Sequence, residues 1–228
     1  MSVSEPNSAP PLLVLGSKNY SSWSLRPWLF LRKAGFDFRE HVIALDAGDY
    51  QAQIAALSPS RRVPVLIAGS AKIWDSLAIC EYAADCTGRG LPQNRHARAV
   101  ARAVAAEMHS GFQSLRNEMP MNVRARKRRV ALTPQLCADI ARIDEIWAAC
   151  RQQFGSGGSW LFGDFSIADA MFAPVTFRFQ TYGAELSPAS SAYLEFALED
   201  PSLREWQEAA SHEGHVLADV DRVGSLQS

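Results

Sequence analysis

The residues best equipped for chemistry stand in a few short groups. Ser21-Ser22-Trp23-Ser24-Leu25-Arg26 sets three hydroxyls where a short apolar run gives way to a helical pattern. Serines in that place either cap the helix or join its free N–H groups and positive dipole end in stabilising an anion. Asp75-Ser76 opens a second helical pattern and offers the same choice. There a hydroxyl and N–H groups suit a carboxylate, while the adjacent acid suits an ammonium group. Arg62-Val63-Pro64-Val65 leads into a strand-like run, where a proline is commonplace and Arg62 is either solvated or a carboxylate partner.

A second set is less specific. His109, Phe112 and Arg116 fall at i, i+3 and i+7 of an Ala-rich helical pattern from Arg95 to Glu118, one face that borders either a pocket or the core. Arg178 lies between Phe177 and Phe179, three turns into another helical pattern, where it is placed to meet an anionic ligand. The basic run Arg124 to Arg129 invites a nucleic-acid reading, but its isolation in a near-neutral chain marks a solvated helix end or loop. Cys80, Cys86, Cys137 and Cys150 show no CxxC spacing and lie in helical patterns. They read as buried thiols in a reducing compartment, with a cytoplasmic location and no metal site expected.

The elements that must position these residues differ between the two halves. Leu12 to Gly16 reads as a strand, Trp23 to Ala34 as a helix closed by Gly35, and Phe38 to Leu45 as a second strand. Such a unit is parallel and right-handed. Val63 to Ala68 and Lys72 to Trp74 flank Gly69-Ser70 as a hairpin, and a helix from Ser76 to Cys86 stops at Gly88. Beyond Gly88 to Pro92 the strand signals cease. Thr133-Pro134 and Asp200-Pro201 each pair a cap with a first-turn proline, the latter opening a last helix to about Ala210. Ser166 and Asp169 have capping-box spacing, a structural role. The expected organisation is a tail over 1–10, a βαβ-ββα domain over 11–87 and an all-helical domain over 92–228.

Composition narrows the partners. With 47% hydrophobic residues among 228, the chain can bury a core without staples. Its 23 basic and 24 acidic residues leave a formal charge of −1, which argues against nucleic acid or an anionic membrane as principal partner. No apolar run reaches the roughly 18 residues of a transmembrane helix, and residues 1 to 11 lack a signal peptide's pattern.

Taken together and in this order, the turn at Ser21 to Arg26, Arg62-Val63-Pro64-Val65, Asp75-Ser76-Leu77-Ala78-Ile79 and the later Ser166 to Asp169 resemble the cytosolic glutathione transferases. The resemblance runs from about Leu12 to Ala210. The Ser-Ser-x-Ser-x-Arg turn is similar to the zeta class, and Ser-Leu-x-Pro to the beta class. It implies an α+β thioredoxin-like N-terminal domain followed by an all-α helical bundle, and an enzyme that conjugates the glutathione thiol to a small electrophile in detoxification.

Glutathione would then be a co-substrate, with no permanently bound cofactor, and the protein a homodimer. Ser21 or Ser22 would donate to the thiolate. Alignment with the zeta turn favours Ser21; counting back from Arg26, as in the theta and delta classes, favours Ser22. A free thiol ionises near pH 8.5, so a two-unit depression needs about 2.7 kcal/mol of preferential stabilisation. Trp23 stands beside the thiol where related classes carry Cys, which argues against thiol-disulfide chemistry. By the same resemblance Val63 before Pro64, in a cis-proline turn, would pair with the cysteinyl backbone, and Arg62 with a glutathione carboxylate. Asp75 and Ser76 would hold the γ-glutamyl group, while His109, Phe112, Arg116 and Arg178 would border the electrophile. The alternatives are a zeta-like cis-trans isomerase of the maleylacetoacetate type and a non-catalytic binding module on the same fold.

Overall fold

The computed structural model describes residues 9–225, so most of the expected tail lies outside the described residues. Its first part runs β1 (Leu12–Gly16), α1 (Ser22–Ala34), β2 (Arg39–Ile43), α2 (Tyr50–Leu57), β3 (Val65–Ala68), β4 (Ala71–Ile73) and α3 (Ser76–Thr87). The sheet order is β2-β1-β3-β4, with β1 parallel to β2 and antiparallel to β3. Alternation along β1 explains why helices cover both faces. Leu13 and Leu15 enter a core with Leu25, Leu29 and Ile79 of α1 and α3, whereas Val14 joins Ile43, Ile54 and Val65 under α2. Gly35 and Gly88 end α1 and α3 in the left-handed conformation, as expected.

The expected βαβ-ββα order omits α2. That helix has eight residues and buries only Ile54, so its sequence carries no apolar stripe long enough to show a helical period.

The helical part comprises α4 (Arg95–Ser110), α5 (Gln113–Glu118), α6 (Pro134–Phe154), α7 (Ile167–Tyr182), α8 (Pro188–Leu198), α9 (Pro201–His212) and α10 (Ala218–Asp221). The cap signals at Thr133-Pro134 and Asp200-Pro201 are realised: Thr133 accepts the Leu136 N–H and Asp200 accepts the Ser202 N–H. The last expected helix reaches His212 rather than Ala210, and α10 follows it. Helix α7 is apolar on nearly every side because it runs through the centre, packed against α1 and α4. Its capping box forms as read, with Asp169 Oδ2 accepting the Ser166 N–H at 2.8 Å.

Two further expectations fail. The Ala-rich segment is not one helix, because Gly111 is extended and Phe112 has φ +62° between α4 and α5. A Cβ at residue 111 would lie 2.9 Å from the Glu107 carbonyl, and Arg116 folds back to donate to the Met108 and Gly111 carbonyls that the break exposes. His109, Phe112 and Arg116 therefore share no continuous helical face. Nor are all four cysteines buried. Cys80 and Cys150 are, and burial pushes the Cys150 thiol up to about 12, but Cys86 and Cys137 lie on the outer faces of α3 and α6.

Candidate functional site

The turn after β1 is held from several directions. Ser24, in the first turn of α1, accepts the Gly16 N–H at 3.0 Å and the Ser21 hydroxyl proton at 2.8 Å. Ser21 thus stands at the N-cap with its proton committed to Ser24. Ser22 differs. Its Oγ accepts from Arg178 Nη2 at 3.3 Å, leaving its own proton without an acceptor among the described residues, and like Ser21 it lines a cavity of about 530 Å³. Ser24 and Leu25 donate their N–H groups to the Ser21 carbonyl, while the Trp23 N–H has no acceptor among the described residues.

Trp23 separates two cavities. On one side lie Ser22, Arg61, Arg62, Arg116 and Arg178; on the other, about 490 Å³ is bounded by Arg62, Val63, Pro64, Trp74, Asp75, Ser76 and His109. Two guanidinium groups lie over the indole, Arg26 at 4.4 Å and Arg116 at 4.8 Å from its ring, and His109 meets it edge-on. Arg26 is wholly buried with no hydrogen-bond partner for any guanidinium nitrogen among the described residues. Burial, with Arg116 and Arg178 nearby, pushes its pKa well below the usual value.

The second cavity collects the remaining expected residues. The Val63–Pro64 bond is cis. Asp75 caps α3, its Oδ1 accepting from Leu77 and Ala78 at 3.1 and 3.3 Å, and its Oδ2 pairs with His109 Nε2 at 2.8 Å. Its carboxylate is therefore engaged on both oxygens. Ser76 is fully buried and its hydroxyl has no partner among the described residues.

Of the residues expected around an electrophile, Arg116 and Arg178 line the first cavity and His109 the second, but Phe112 lines neither. The left-handed turn at Phe112 directs that ring into the core, at 7% exposure. Arg116 is chiefly a helix cap on the carbonyls at the end of α4. Arg178 is buried, donating from Nε to the Met119 carbonyl at 2.8 Å and from Nη1 to that of Pro174 at 3.3 Å. Burial and the charge of Arg116 push it down to about 9.

Sequence reasoning missed the segment that braces this turn. Glu213 accepts the Lys18 and Asn19 N–H groups at 2.7 and 3.0 Å, and the Tyr20 hydroxyl donates to Asp221 at 2.8 Å. Arg124, from the run read as solvated, donates to the Tyr20 hydroxyl and to the Glu213 and His215 carbonyls. Nothing in the spacing announces partners some 200 positions apart. Arg61, beside the singled-out Arg62, also lines the first cavity, and the doubled arginine was its only signal.

A mixed four-stranded sheet flanked by helices, with a hydroxyl-rich turn after its first strand and a helical bundle behind it, defines a thioredoxin-like protein with a helical C-terminal part. Residues 20–86 match the glutathione S-transferase N-terminal domain, and residues 97–209 match the glutathione S-transferase C-terminal domain. The chain belongs to the glutathione S-transferase family and is an enzyme of that family. It is 25% identical over 183 residues to a maleylacetoacetate isomerase of Rattus norvegicus, covering 78% of this chain and 82% of that one. Among solved structures, a glutathione transferase homolog from Burkholderia gl BGR1 with bound glutathione is similar at TM-score 0.67 and 23% identity, over 90% of this chain and 100% of that one. A bacterial zeta-class maleyl pyruvate isomerase is similar at TM-score 0.68 and 19% identity, with the same coverage. No helix among the described residues is long and apolar enough to cross a membrane.

Proposed function

We propose that the protein binds reduced glutathione across Trp23 and stabilises its thiolate at Ser22 for attack on an electrophile in the cavity between the two parts. The carrying observation is the Ser22 hydroxyl, whose oxygen is held by a cation and which, like the neighbouring Trp23 N–H, has no acceptor for its proton among the described residues. Ser21 is the weaker candidate because its proton is given to Ser24. The γ-glutamyl carboxylate would meet Ser76, and its ammonium would share Asp75 Oδ2 with His109. The cysteinyl backbone would lie along Val63, and Arg62, exposed and bordering both cavities, would meet a carboxylate. The thiol proton leaves to solvent, the sulfur attacks carbon, and catalysis comes from a larger thiolate fraction and from orientation.

In a conjugation, a leaving group departs and glutathione is consumed. The isomerase reading is favoured by the curated relative's name: sulfur adds to a cis double bond, the adduct rotates, and the sulfur departs unchanged. Turnover of an aromatic halide with net loss of free thiol supports transfer. Turnover of maleylacetone with no loss of thiol supports isomerisation, and failure to bind immobilised glutathione removes both. A cytoplasmic homodimer completes the proposal, tested by fractionation and by light scattering of the purified chain.

A further inference from the structure

Arg178 meets the Ser22 hydroxyl, so its role rests on the Ser22 reading above. Arg178 was singled out as a partner for an anionic electrophile, yet its three nitrogens point elsewhere. Nε and Nη1 are fixed by the carbonyls of Met119 and Pro174, one in the loop after α5 and one a turn earlier in α7. With the fork immobilised by those two bonds, Nη2 is delivered to Ser22 Oγ across the boundary between the two parts of the molecule. The side chain is 3% exposed and forms no salt bridge among the described residues. The charged and titratable groups around it are Arg116 from α5, Arg26 from α1 and Tyr182 from α7. None of them is a carboxylate.

A buried cation without a counter-charge is costly, and an anion formed within a few ångströms repays part of that cost. A thiolate hydrogen-bonded to Ser22 would be that anion. By donating to the Ser22 oxygen, Arg178 also keeps the hydroxyl proton from turning toward it, so that proton stays available to an acceptor in the cavity that Ser22 lines.

We propose that Arg178 is a positioning residue for thiolate formation: held by two carbonyls, it orients the Ser22 hydroxyl and supplies the unbalanced positive charge that the glutathione thiolate neutralises. The first step of catalysis in the N-terminal part is then governed by a side chain of the central helix of the C-terminal part.

The test is the pH dependence of thiolate absorbance in the glutathione complex of Arg178→Met, Arg178→Lys and Ser22→Ala, alone and combined. An opposite charge at this range shifts a pKa by about one unit or more, so Arg178→Met is expected to raise the bound thiol pKa by at least about one unit. That is a roughly tenfold smaller thiolate fraction below both pKa values. Glutathione affinity at pH values where the thiol stays protonated is expected to change little, and Arg178→Lys should recover a large part of the shift. Ser22→Ala should have less than half its wild-type effect when Arg178 is already replaced. An unchanged thiol pKa in Arg178→Met that still binds glutathione overturns the proposal, as does additivity of the two substitutions. Should Arg178→Met not fold, the same cycle with Arg178→Lys decides, because lysine keeps charge but loses the fork: an undiminished Ser22→Ala effect there overturns it. Failure of the wild-type protein to bind glutathione is a different result, refuting the parent reading alone.

Discussion

Asp169→Ala tests the energetic centre of the helical part. The Asp169 carboxylate is buried and accepts four hydrogen bonds, from the Leu161 N–H at 3.0 Å, the Ser166 N–H and hydroxyl at 2.8 Å each, and the Tyr193 hydroxyl at 3.0 Å. In the variant the Ser166 hydroxyl can rotate, but two N–H groups and the Tyr193 hydroxyl stay buried without acceptors. At about 1–3 kcal/mol for each orphan, the gross loss is roughly 3–9 kcal/mol. The carboxylate itself is costly to bury, since burial holds its pKa at about 6 despite those donors. Against an unfolded value near 3.9, that is about 2 units, or roughly 3 kcal/mol.

Because the native state holds the proton more tightly, this group's contribution is full below about pH 4 and declines as pH rises through 6. Removing the carboxylate regains that cost at neutral pH, leaving a net loss of roughly 0–6 kcal/mol, with a midpoint near 3 kcal/mol that is a large share of a typical domain's stability. The assay is urea unfolding of wild type and variant at pH 4.5 and pH 8, followed by tryptophan fluorescence. The destabilisation should be greater at pH 4.5 by about 2 kcal/mol. A destabilisation equal at both pH values, or greater at pH 8, would refute the reasoning.

Other outcomes follow from the site and its supports. Ser22→Ala is expected to raise the bound thiol pKa by about one unit or more, one charge-assisted hydrogen bond's worth, with affinity nearly kept, whereas Ser21→Ala should shift it less; thiolate absorbance against pH checks both. Asp75→Ala removes the α3 cap and the His109 partner, so calorimetry should show weaker glutathione binding alongside a loss of about 1 kcal/mol in stability. Gly90→Ala meets two obstacles, a φ of +81° and a Cβ placed 2.3 Å from Phe30 Cζ in the core. It should cost about 2–4 kcal/mol, read as a fall in Tm with the site chemistry intact.

What could be read from the sequence was local. Caps such as Thr133-Pro134 and Asp200-Pro201, stops such as Gly35 and Gly88, and the alternation in β1 act over a few residues, so their meaning survives without a structure. Helix α2 escaped because one buried isoleucine is no pattern, and the break at Gly111-Phe112 escaped because alanines before it and helix formers such as Gln113, Leu115 and Arg116 after it keep up a helical pattern. At the site, the residue groups were legible but their pairings were not. Three serines within four residues look alike until Ser24 claims the proton of Ser21 and Arg178 reaches the oxygen of Ser22. Asp75 was recognised as a cap and as an acid, but its second oxygen goes to a histidine from another helix.

The brace on the Ser21-Ser22 turn has a consequence for how the molecule is made. Synthesis runs from the N-terminus, and β1, α1 and the rest of the sheet are complete within the first 90 or so positions. Yet Lys18, Asn19 and Tyr20, which lead into that turn, are braced by Asn122, Arg124, Trp206, Glu213 and Asp221, all from the helical part. A nascent chain paused before residue 213 can own a finished sheet and still lack the Glu213 and Asp221 braces, so the Ser21-Ser22 turn settles only once the helical part has been made.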